Sequence, residues 1–129
     1  MTPDLVPARL WQQAEGAGLA FGGLAIAGFA SVGWPWWVWL LALLAPDLSM
    51  AGYLLGRRVG AVVYNLAHVY ALPFLLMLLG VAAGETGCIA AGGLWLAHIG
   101  IDRALGYGLK LPEGFRHTHL GRIGHDSDS

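Results

Sequence analysis

The chain is short of charge. Only 12% of its 129 residues are charged, against roughly 25% in soluble domains, while 57% are hydrophobic and the mean hydropathy is +0.61. Lysine and arginine number seven, the formal net charge is -1, and no basic block or basic-aromatic interleaving occurs. That excludes the electrostatic footprint of a nucleic-acid binder. Cysteine is almost absent. With Cys88 alone no intrachain disulfide can form, and its apolar neighbours mark an inert thiol. Residues 16–46 contain no charge at all. A run of that length exceeds one span of about 20 residues at 1.5 Å each, so the chain must turn back once, at residues 31–35. A secretory signal peptide does not explain it, because no basic n-region precedes the run and more hydrophobic sequence follows. These absences point to lipid as the solvent and to one membrane domain over residues 1–129.

The expected fold is all-α, an integral membrane bundle of four transmembrane helices. Residues 1–8, with two prolines, form a lead-in. Helices are predicted over 8–30, 34–55, 59–83 and 87–109, and a tail over 110–129. Arg9, Arg57, Arg58, Arg103, Lys110, Arg116 and Arg122 all fall on one side of this arrangement, and the opposite turns carry only Glu85. By the positive-inside rule both termini are cytoplasmic. Trp34, Trp36, Trp37 and Trp39 then lie at the outer end of the second helix, where an interfacial belt is expected. Gly18 and Gly22 make a GxxxG pair, and Gly93, Ala97, Gly100 and Ala104 follow small-xxx-small spacings. Both predict close helix packing, while no face is singled out for a homo-oligomer.

Against this background the run LWLAHIGIDRALGYGLK, residues 94–110, stands out. His98 and Asp102 are four apart and share a helix face. An ionisable pair within a span costs at least a few kcal/mol unless it is partnered, and reads as a functional site. Depth identifies the partners. At about 1.5 Å per residue, Asp47 lies about 15 Å from Arg57, His68 about 15 Å from Arg58, and His98 and Asp102 about 18 and 12 Å from Lys110. Glu15 lies about 9 Å beyond Arg9. Five groups from four helices thus occupy one slab of the inner half of the bilayer.

Local context refines this picture. Pro46 removes a hydrogen bond beside Asp47 and bends or interrupts the helix there, leaving the carboxylate near the start of a half-helix. Tyr64, Asn65 and His68 share a face, with Asn65 placed to orient an imidazole or carboxylate. Arg103 is about 100° round the helix from Asp102 and is expected to face phosphate at the membrane surface. The tail segment LPEGFRHTHLGRIG is too short and polar to span. It is expected to lie along the cytoplasmic face, with Thr118 and His119 closing over the cavity as a lid, the alternative being a solvated tail. Residues 125–129 read as a disordered end.

The runs APDLSMAGYLLGRRVGAVVYNLAHVYALP and LWLAHIGIDRALGYGLKLPEGFRHTHLG resemble a family of small bacterial membrane proteins, the domain-of-unknown-function family 4260, and Glu15-Gly16 fits its first-helix motif. The resemblance implies a four-helix bacterial inner-membrane domain. Its polar motif positions fall here at Glu15, Asp47, Tyr64, Asn65, His68, His98, Asp102, Arg103, Tyr107, Lys110, Thr118 and His119, and it implies no activity. The PDLS segment followed by a distal FRHTH is also similar to membrane-bound metal-dependent hydrolases.

The expected function is a metal-dependent hydrolase or transferase acting on a lipid or lipid-linked phosphate at the cytoplasmic leaflet. Asp47, His68, His98 and Asp102 would hold zinc, manganese or iron, and Glu15 would act as general base. Arg103, Lys110 and Arg116 would bind phosphate. A metal-free acid-base variant stays open. The alternatives are proton or metal-ion transport by an oligomer, and a bundle whose buried polar network only sets helix register.

Overall fold

The computed structural model describes residues 6–111, 114–118 and 120–122. Where four helices were predicted, the described residues form five α-helices, a 3₁₀ stretch and a small sheet. Helix α1 runs Val6–Ala30 and ends in a turn at Gly33, whose φ of 87° suits a residue without Cβ. Ser31 closes this turn twice, through its carbonyl to Trp34 N at 2.9 Å and through Oγ, which accepts from Trp39 Nε1 at 2.8 Å. Helix α2, Trp36–Leu44, then passes without a gap into a 3₁₀ helix, Ala45–Leu55. Pro46 lies where the winding changes. In 3₁₀ geometry side chains three apart eclipse, so Asp47, Met50 and Tyr53 form one column. The ring of Tyr53 fills the space that a Cβ on Gly60 would need.

Gly56, with φ of 122°, turns the chain into α3, Arg57–Ala67, and α4 follows over Ala71–Ala83. These two were expected to be one helix over 59–83. A break lies between them, at residues 68–70, and bends the pair by 41°. Pro73 occupies the first turn of α4, where its missing N–H is tolerated. Gly84 ends α4 in a Schellman motif, with Glu85 N bonding Gly80 O at 2.8 Å and Gly84 N bonding Val81 O at 3.3 Å. Helix α5, Thr86–Ala104, is the spine of the bundle. Leu94, Leu96, Ile99, Ala90 and Ala97 on it are buried, and α1, α4 and α2 pack around it.

The α1–α5 seam is built from residues without bulk. Antiparallel, α1 presents Gly16, Ala20, Gly23 and Ala27 to Gly93, Ala97, Gly100 and Ala104 of α5. A Cβ on Gly100 would meet Ala20 N at 2.5 Å and Gly16 O at 2.6 Å. The predicted pair Gly18 and Gly22 is a correction. Both are exposed with nothing within 4 Å of a notional Cβ, so the packed face is rotated round α1 to Gly16 and Gly23.

After α5 the chain forms an antiparallel sheet in the order β1 (Lys110–Leu111), β2 (Gly114–Thr118), β3 (Gly121–Arg122), with Lys110 opposite Thr118 and His117 opposite Arg122. Strands β1 and β2 pack against α3, and Leu120 is buried. Residues 125–129 lie outside the described residues.

The 20-residue rod Trp36–Leu55 is long and apolar enough to cross a membrane, with a mean hydropathy of 1.6 and 11% of its most apolar window buried. The bent pair α3–α4 also qualifies if it counts as one span.

Gly100→Val is expected to lower stability by about 1–3 kcal/mol or more, because backbone atoms on α1 cannot move aside. Gly22→Val should stay within about 0.5 kcal/mol. Thermal unfolding of the two variants in detergent would check the pair, and equal melting temperatures would contradict the seam.

Candidate metal centre

Two helix irregularities release main-chain carbonyls, and each is taken up by an imidazole. At the end of α3 the His68 N–H bonds Asn65 O at 3.0 Å rather than Tyr64 O. Tyr64 O is therefore left to accept from His68 Nδ1, at 2.8 Å. On the rod, Pro46 has no N–H to give to Leu43 O in the 3₁₀ pattern. Leu43 O instead accepts from His98 Nδ1 at 2.7 Å. A carbonyl oxygen only accepts, so both rings carry their proton on Nδ1 and turn Nε2 inward.

The two Nε2 atoms face each other at 3.2 Å. Asp47 Oδ1 lies 3.0 Å from His98 Nε2 and 3.4 Å from His68 Nε2; Asp102 Oδ2 lies 3.4 and 3.5 Å from the same two atoms. Ligand atoms from the four residues all lie within 4.8 Å of one another. With both Nδ1 protons engaged elsewhere, the four converging atoms carry only lone pairs as long as both rings are neutral and both carboxylates ionised. Such a constellation is repulsive until a cation, either protons or a metal ion, joins it.

The spacing is compatible with a metal ion. Four N and O ligands about 2.0–2.1 Å from a tetrahedral ion are separated by about 3.3–3.4 Å, and five of the six separations, 3.0 to 3.5 Å, bracket that edge, while also being hydrogen-bond and ion-pair distances. An Nδ1–H donated to a carbonyl is also the usual outer support of a metal-binding histidine. These residues could hold a metal ion.

Packing sets the site's open side. The side chains of His68, His98 and Asp102 are 0%, 7% and 16% exposed, whereas that of Asp47 is 41% exposed. Entry is therefore past Asp47. The Tyr64 ring stacks on His68 at 3.7 Å and 8° between planes, closing the opposite face.

The Domain of unknown function (DUF4260) family model matches residues 9–123. The chain belongs to this family. All four clustered residues fall within the DUF4260 match, as does every described helix apart from the first residues of α1. No curated protein and no solved structure matches the chain.

Other expected site residues of this DUF4260 protein are distributed more widely. Glu15 is exposed on α1 and outside the four-residue cluster, although near enough to Tyr70 to act on it electrostatically. Arg103 is a correction. Expected at the surface, it is 3% exposed, and its guanidinium donates to His68 O at 2.8 Å and Tyr107 O at 2.9 Å. It is a strut between the α3–α4 break and the end of α5, not a surface cation. Tyr64 packs within the core beside His68, Asn65 supplies the carbonyl that caps His68 N, and Tyr107 is 41% exposed. The side chains of Lys110, Arg116 and Thr118, and all of His119, lie outside the described residues.

One supporting residue escaped notice in the sequence. Trp95 Nε1 donates to Ala67 O at 2.6 Å, so Trp95 and Arg103 together satisfy consecutive carbonyls at the break. Its position three residues before His98 was the available signal.

Arg103→Met keeps the bulk but strands two carbonyls. A loss of about 1–3 kcal/mol in unfolding free energy is expected. A melting temperature matching wild type in detergent would show that the strut carries no stability.

Proposed function

We propose that this protein crosses a bacterial inner membrane four times, with both termini cytoplasmic. In this reading it is a metal-dependent hydrolase or transferase acting on a lipid or lipid-linked phosphate of the cytoplasmic leaflet. The membrane part rests on where apolar and ionisable side chains lie. Leu40, Leu41, Leu44 and Leu48 on the rod and Leu75, Leu78, Leu79 and Val81 on α4 are exposed, while His68, His98 and Arg103 are buried. Exposed apolar area on this scale marks a membrane or protein interface, and ionisable groups within membrane spans face the bundle interior. Helices α1 and α5 carry more polar and small residues than the rod because they spend their apolar surface on each other.

The observation that carries the chemistry is the pair of inward Nε2 atoms set among two carboxylates. Asp47, His68, His98 and Asp102 would be the ligands, with zinc, manganese or iron suited to such nitrogen and oxygen donors. A bound divalent ion of this kind lowers the pKa of a coordinated water and polarises a phosphoryl or acyl oxygen. The chain's own part is to fix both imidazoles through Leu43 O and Tyr64 O, to exclude water with the Tyr64 ring, and to leave the Asp47 side open. With Arg103 engaged in structure, Lys110 and Arg116 remain the cations proposed for phosphate.

Elemental analysis of detergent-purified protein tests the centre. About one divalent ion per chain is expected in the wild type, and far less in His68→Ala and His98→Ala variants that still unfold cooperatively. Pro46→Ala, which restores a competing donor for Leu43 O, should weaken metal affinity by about 10-fold. A wild type offered zinc, manganese and iron that retains none in stoichiometric amount would end the proposal.

A further inference from the structure

Chain neighbours of three of the clustered residues also wall a groove. Pro46 adjoins Asp47, Ala67 adjoins His68, and Trp95 lies one turn before His98 on α5. Together with Ala91 and Leu76 they border a cavity of about 370 Å³ between the rod, the α3–α4 break and α5. The wall is almost entirely apolar. Ser49 Oγ is tied to Pro46 O at 2.7 Å and Trp95 Nε1 to Ala67 O at 2.6 Å, and the remaining lining side chains are hydrocarbon. Its volume lies at the lower end of small-molecule sites, which run from about 300 to 1,000 Å³. That suits a stretch of one alkyl chain and not a whole lipid.

We propose that this groove receives an acyl chain of a phospholipid from the surrounding leaflet, with the chain's polar end at the cluster. The proposal rests on the lipid-directed function above and narrows its substrate to an amphiphile held by one tail. Three features support the occupant. The groove neighbours the cluster in the chain, Pro46 and Ala67 being adjacent to Asp47 and His68 and Trp95 one turn before His98. A hydrocarbon matches a wall that is almost entirely apolar and whose two side-chain donors, Ser49 Oγ and Trp95 Nε1, are already engaged. The rod that forms one wall turns the rest of its surface, Leu40, Leu41, Leu44 and Leu48, outward, so acyl chains are the nearest source of occupants.

The test uses the full chain in nanodiscs of phospholipid that includes a fraction with a photoactivatable diazirine in the acyl chain, with adducts mapped by mass spectrometry. Trp95 and Leu76 should be labelled several-fold more than Leu78 and Leu79, which are exposed on α4. Ala91→Phe should fill the groove and remove the Trp95 adducts, leaving the Leu78 adducts and the metal content unchanged. Ala42→Leu, from the facing wall, gives the same readout should the first variant misfold. Labelling of Trp95 no stronger than that of Leu78, or unmoved by a folded groove-filling variant, would overturn the inference. Metal content read on the same samples separates the two ideas. Stoichiometric metal without groove labelling defeats the groove alone, and groove labelling on a metal-free chain upholds it while defeating the metal reading.

Discussion

Two main-chain carbonyls decide where the imidazoles point, and the rest of the site follows from them. Leu43 O is released because residue 46 is proline, and Tyr64 O because α3 tightens to an i−3 bond at His68. A neutral ring whose Nδ1 proton is engaged presents a lone pair at Nε2. The convergence of two such lone pairs with two carboxylates is therefore a product of backbone geometry. Had either helix stayed regular, its carbonyl would have been bonded along its own axis and the ring left to choose its tautomer.

The same irregularities create obligations that α5 meets. Breaking α3 from α4 exposes the carbonyls of Ala67 and His68, and α5 answers with Trp95 and Arg103. Helix α5 thus carries two members of the cluster, His98 and Asp102, and two supports of a third. It can do so because α1 lies almost backbone to backbone against its other side, through Gly16, Gly23, Gly93 and Gly100. Contact at that range leaves no room for a Cβ at Gly16, Gly23, Gly93 or Gly100, which ties the height and rotation of α5 to those of α1.

Counting residues gave height in the bundle but not direction around each helix, and the sequence was legible to that extent. An α-helix rises about 1.5 Å per residue, and the roughly 2.0 Å of the 3₁₀ stretch shifts the height counted for Asp47 by only about 5 Å, so Asp47, His68, His98 and Asp102 could be assigned a common level, and in the structure they meet. Glu15 was placed at that level by the same count, but it faces outward. Gly18 and Gly22 missed the packed face of α1 for the same reason, because rotation is set by the partner helix and not by local spacing. The proline signals were partly readable. Pro46 does perturb the rod, through a change of winding and without a gap, while Pro73 begins a helix and leaves the break to residues 68–70. Arg103 shows the limit most clearly. Its charge pointed to the surface, but its two acceptors are carbonyls that only the fold frees, so no pattern in the chain announced them.

The overwound half of the rod has a mechanical implication. From Asp47 to Tyr53 is six residues, two whole turns at three residues per turn, so the two side chains project in one direction. At 3.6 residues per turn the same six steps would leave them about 120° apart. Because the Tyr53 ring is seated over Gly60, relaxation of this stretch to ordinary α-helical pitch would have to swing the carboxylate of Asp47 away from the imidazoles. Helical pitch here sets the direction of Asp47 relative to Tyr53, so the seat of a tyrosine at one end of the segment bears on the open edge of the centre at the other.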